Sequence, residues 1–84
     1  MKRFIKEIAE LIELSIIINE ETEHSICFEY YGHVDNISFR VYKQGFESER
    51  DFERYTISKF SRSERDIANY INYVRQELLK LRNK

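Results

Sequence analysis

Eighty-four residues make one domain with one core, near the lower end of what stands without disulfides or metals, and six Tyr with six Phe supply large contact areas for that core. The single cysteine, Cys27, excludes an internal disulfide framework and matches a reducing, cytoplasmic setting. Fourteen basic against fifteen acidic residues, a formal charge of −1, exclude a bulk field that gathers nucleic acid or an anionic membrane, so a charged partner has to be met by a local patch.

The chain opens on Lys2 and Arg3 as an export signal does, but Lys6, Glu7, Glu10 and Glu13 interrupt what would be its apolar region. No apolar run approaches the roughly twenty residues of a membrane span, so a soluble protein without an anchor is expected. Phe4, Ile5, Ile8, Leu11 and Ile12 recur at helical spacing opposite those charges, which predicts a helix over about residues 3–14. Ile16, Ile17 and Ile18 follow. Three β-branched residues in a row favour a strand, with a longer helix as the competing reading.

A polar turn over residues 19–24 leads into Ile26, Phe28 and Tyr30, which alternate with Cys27, Glu29 and Tyr31. Gly32 and His33 interrupt, and Ile37, Phe39 and Val41 then alternate with Ser38, Arg40 and Tyr42. Period two on both sides of a short glycine-containing connection predicts a hairpin. A further strand is expected near residues 51–58, with Tyr55 and Ile57 on one face and Phe52, Arg54, Thr56 and Ser58 on the other. Ser61-Arg62-Ser63-Glu64 has the hydroxyl-to-glutamate spacing that satisfies the first free amides of a helix. Ile67, Ile71, Val74, Leu78 and Leu81, widened by Tyr70 and Leu79, supply its apolar stripe, and Lys80, Arg82 and Lys84 suit its C-terminal dipole. The expected fold is α+β: an N-terminal helix, a three- or four-stranded antiparallel meander and a long C-terminal helix, both helices on one face, in one domain over residues 1–84.

Chemistry finds little purchase in this pattern. His24, His33, Cys27, Glu23 and Asp35 match no metal-ligand spacing, the two glycines build no phosphate loop, and no shielded carboxylate pair is encoded. The expectation is a non-enzyme without cofactor or metal. Two charge patterns carry more. Glu47, Glu49, Asp51 and Glu53 occupy every second position, which in an extended chain spaces carboxylates roughly 6.5–7 Å apart, close to the phosphate spacing of a nucleic-acid strand. Glu20, Glu21 and Glu23 add a second acidic segment. On the last helix Arg62, Arg65, Asn69, Asn72 and Gln76 form a polar stripe able to hydrogen-bond bases or phosphates. Tyr31, Tyr42 and Tyr55, with Arg40 and Lys43, are expected on the sheet face away from Phe28 and Phe39, as a stacking platform or a protein-contact patch.

The α-β-β-β-α order resembles the double-stranded-RNA-binding domain over nearly the whole chain. That family opens its second helix with a lysine cluster that grips phosphates. The corresponding residues here, Ser61, Arg62, Ser63, Glu64, Arg65 and Asp66, include two acids. The chain also resembles the small phage-encoded anti-CRISPR proteins in size, in the short opening helix Lys2-Arg3-Phe4-Ile5-Lys6-Glu7-Ile8, and in a meander with acidic loops followed by a helix. This second resemblance implies a cytoplasmic phage or prophage protein that inhibits a host defence nuclease, such as a type II CRISPR effector. Its surface would use Glu20, Glu21, Glu23, Glu47, Glu49, Asp51 and Glu53 in place of DNA phosphates. The alternatives are a nucleic-acid binder using Arg62, Arg65, Asn69 and Asn72, and a homodimeric structural protein joined through the exposed sheet face or the last helix's stripe.

Overall fold

The computed structural model describes residues 2–43, 52–58 and 63–83. A 3-10 turn at Lys2–Phe4 leads into helix α1, Ile5–Glu21, followed by strands β1, Ser25–Tyr31, β2, Asn36–Tyr42, and β3, Phe52–Ser58, and by helix α2, Glu64–Arg82. The three isoleucines at 16–18 are helical, so the four-stranded alternative is removed. Their β-branching costs a fraction of a kcal/mol per residue, whereas continuing the helix puts Leu14 and Ile18 in line with Leu11 on the buried face. Ser15, also buried, donates its hydroxyl to the Leu11 carbonyl at 2.8 Å and so carries no unsatisfied polar group into the core. Ile5 departs from the expected stripe. It is exposed, while Phe4 and Leu11 are buried.

Among the described residues the sheet has three antiparallel strands in the order β1-β2-β3. Register aligns Ile26 with Val41 and Glu53, Phe28 with Phe39 and Tyr55, and Tyr30 with Ile37 and Ile57. Because side chains alternate, these nine share the inner face, and most of them join Leu11, Ile18, Ile67, Ile71, Val74 and Leu78 in one core. Both helices therefore cover this face. Tyr55 belongs to it and not to the opposite one: it is 9 % exposed against 37 % for Phe52. The turn between β1 and β2 closes through Val34 N to Tyr31 O and Asp35 N to Gly32 O, each 3.3 Å. Asp35 takes φ 50° there, a left-handed conformation that a short polar side chain tolerates, and it accepts from the Tyr30 hydroxyl at 2.9 Å.

The helices lie parallel. Arg3 pairs with Glu64, Arg75 with Glu10 at 3.2 Å and Arg82 with Glu21 at 3.5 Å, in the same order along both. These pairs are solvated and contribute little stability, but they mark the register. At the other flank of α1, Asn19 donates Nδ2 to Ile26 O at 2.9 Å and accepts from Ile26 N at 2.6 Å, tying the end of the helix to strand β1. The N-cap of α2 is Ser63, which accepts from the Asp66 amide at 3.3 Å; Ser61 and Arg62 lie outside the described residues. Ser63→Ala is expected to remove about 1 kcal/mol of stability, read as a lower urea midpoint with unchanged slope. No helix among the described residues is long and apolar enough to cross a membrane.

Candidate functional site

The parallel helix pair and the strand register bring several charged residues from distant segments to one end of the fold. Helix α1 ends at Glu21 beside Arg82 near the end of α2. The chain then turns through Thr22, whose hydroxyl donates to Ile18 O at 2.7 Å and accepts from His24 N at 3.0 Å. His24 Nδ1 meets the Lys43 carbonyl at 2.7 Å, and Lys43 Nζ lies 2.9 Å from Glu53. Glu20, Glu21 and Glu23 thus stand at the same end as Glu53, although some thirty residues of chain separate them. Glu20 and Glu23 are exposed and pair with no described residue. Glu47, Glu49 and Asp51 lie outside the described residues.

Glu53 is the most constrained of these carboxylates. Its salt-bridging hydrogen bond from Lys43, reinforced by the Tyr55 hydroxyl at 2.7 Å, holds its carboxyl below the usual range, and Lys43 is pushed up by the same bond. Burial, then the hydrogen bond to Glu53, raises the Tyr55 phenol well above its ordinary value. Next to them a concavity of about 520 Å³ runs along the end of α2, past Gln76, Glu77 and Lys80. Among the described residues this end brings Glu20, Glu21, Glu23, Glu53 and Glu77 together with Lys43, Lys80 and Arg82, an excess of acid.

The second predicted set is also on one surface. Arg65, Asn69 and Asn72 are exposed along the outward side of α2, in line with Gln76; Arg62 lies outside the described residues. They occupy the first half of α2, and the stripe meets the concavity of the acidic end through Gln76. The sheet face away from the helices carries Cys27, Arg40 and Arg54 in one cross-strand row and Glu29, Ser38 and Thr56 in the next. Arg40 reaches Glu29 at 2.9 Å, Tyr31 donates to the same carboxylate at 2.6 Å, and Arg54 stacks over Phe52 at 5.4 Å. Tyr42 is buried against Phe52, ring centres 5.3 Å apart. Of the expected platform, Tyr31 remains on this face as an exposed tyrosine, and its hydroxyl is committed to Glu29.

The stripe expected to serve a homodimer, Ile67, Ile71, Val74, Leu78 and Leu81, is buried in the core, so that stripe is not open to a second copy. Cys27 is a half-buried free thiol. His33, at the hairpin tip, is exposed, and no group of three or more His, Cys, Asp or Glu among the described residues is placed to hold a metal ion. Sequence reasoning missed Lys43, His24 and Arg82 as neighbours of the acids, because their partners lie far off in the chain and no local spacing signals such pairs. It also missed that Ile5 and Ile16 face outward. Their spacing from Ala9 and Ile12 was the available signal. Comparison of the chain with protein-family models, with curated proteins and with solved structures finds no match.

Proposed function

We propose that this protein is a small binding module that acts by protein–protein contact through its acidic end, Glu20, Glu21, Glu23 and Glu53 together with the segment bearing Glu47, Glu49 and Asp51. The observation that supports this reading is that Glu20, Glu21 and Glu23 stand at the same end of the fold as the sequence-remote Glu53, with Glu20 and Glu23 unpaired by any described residue. Carboxylates displayed in this way complement a basic surface, and such surfaces are built to take phosphate backbones. The finer form of the proposal follows the resemblance to anti-CRISPR proteins: a cytoplasmic phage or prophage inhibitor that covers the DNA-binding surface of a host nuclease, such as a type II CRISPR effector.

Purified protein is expected to co-elute with the effector and to lower its DNA binding, and Glu20→Lys with Glu23→Lys to weaken both effects about tenfold, the scale of two lost charge contacts across an interface. No association with any effector tested sinks the finer form, and association indifferent to the charge reversal sinks the acidic end as the contact. A nucleic-acid binder is the second reading, favoured by the shared exposed face of Arg65, Asn69 and Asn72. It predicts a gel shift with RNA or DNA that fades steeply as salt is raised, whereas the first reading predicts none.

A further inference from the structure

One face of α1 is apolar and uncovered. At 3.6 residues per turn Ile5, Ala9, Ile12 and Ile16 fall within an arc of about 60°, on the side of the helix away from the Arg3, Glu10 and Glu21 contacts to α2. Ile5 is 62 % and Ile16 47 % exposed, and the spacing of four, three and four residues is that of a coiled-coil seam. Beside this stripe, between α1 and the hairpin, is a concavity of about 600 Å³ lined by Ile5, Ile8, Ile12 and Ile37 and also by the charged Lys2 and Asp35. Phe28, 39 % exposed, and Tyr30, 61 % exposed, continue the apolar surface onto the edge strand.

The strand edge is open at the same place. β1 is an outer strand, and Asn19 occupies the outward backbone groups of Ile26. By the antiparallel alternation, Phe28 and Tyr30 turn their N–H and C=O the same way, and no hydrogen bond from a described residue reaches them. Unpaired edge groups of this kind are a template for another strand.

Charge says what covers this face. Lys6 and Glu13, exposed and unpaired among the described residues, flank the stripe on one side, seven residues apart and at opposite ends of it. If a second α1 lies antiparallel against the first, Ile5 meets Ile16 and Ala9 meets Ile12. Lys6 of each copy then lies beside Glu13 of the other, at the helix-flanking positions that set orientation. Ala9 and Ile12, at the midpoint of that contact, line the same concavity as Tyr30 in the open half of β1. A single two-fold axis therefore serves helix and strand together, which is the self-complementarity an isologous interface requires.

We propose that the protein forms a two-fold dimer in which α1 packs antiparallel on α1 of a second copy and the open halves of the two β1 strands pair, joining the sheets into one. Glu20 follows Glu13 by seven residues on the same flank of α1, one turn beyond Ile16, so the charge swap at Lys6 and Glu13, which alters no residue of the acidic end, is what tells this dimer from the binding reading above.

Sedimentation velocity up to several hundred micromolar is expected to show a monomer–dimer equilibrium. Ile16→Glu is expected to abolish the dimer. Lys6→Glu should raise its dissociation constant about tenfold by replacing two attractions with two repulsions, and Lys6→Glu combined with Glu13→Lys should restore it to within about threefold. The charge pair keeps the test decisive if Ile16→Glu fails to fold, which circular dichroism reports. A chain that stays monomeric throughout, a dimer indifferent to Lys6→Glu, or a double variant no better than the single one overturns the proposal.

Discussion

Phe39→Ala is expected to cost about 3–5 kcal/mol, the range for deleting a large aromatic side chain from a packed core. Phe39 is fully buried at the middle of the central strand. It stands opposite Phe28, ring centres 6.1 Å apart, on one side and in register with Tyr55 on the other. Neighbouring strands hold the backbone in place on both sides, so the cavity collapses poorly, and the loss falls toward the upper end of the range. In a domain of this size, a cost of that order consumes much of the total stability. Urea unfolding followed by circular dichroism measures it. A loss below about 1 kcal/mol contradicts the placement of Phe39 at the centre of the core. Phe52→Ala, at a position 37 % exposed on the face away from the helices, serves as the contrast and is expected to cost far less.

The same two residues show where a sequence pattern stops being informative. Alternation near residues 51–58 separates Tyr55 and Ile57 from Phe52, Arg54 and Thr56, but both sets contain an aromatic residue, and the side that faces the helices is decided by pairing with Phe39. The first helix shows a related ambiguity. Its core positions Phe4, Leu11, Leu14 and Ile18 overlap in period with Ile5, Ala9, Ile12 and Ile16, and the two read as one broad stripe until α2 and the sheet fix which arc is buried. The hairpin and the last helix were legible because each has a single unambiguous apolar face. Legibility of the acidic site was of another kind: the acids themselves are evident, whereas Arg82 beside Glu21 and Lys43 beside Glu53 follow from tertiary register.

Asn19→Ala is expected to destabilise the fold by about 2 kcal/mol, more than any solvated ion pair of this protein is worth. The side chain acts as a short piece of neighbouring strand, with its amide donating to Ile26 O and its carbonyl accepting from Ile26 N. Ile26 is 3 % exposed, so both backbone groups lose their partner with little water to replace it, and an unmade bond costs more than a made one contributes. Asn19→Asp keeps the acceptor and loses the donor, and an intermediate loss is expected. Hydrogen exchange at the Ile26 amide separates this local effect from global unfolding: protection should fall in Asn19→Ala and persist in Asn19→Asp. Unchanged protection in Asn19→Ala shows that the edge is held by other contacts. The substitution also lengthens the open edge of β1 from Phe28 back to Ile26, and a longer unpaired edge is a better template for strand addition. Loss of monomer stability is therefore expected to come with stronger self-association, a combination that simple unfolding of the end of α1 does not produce.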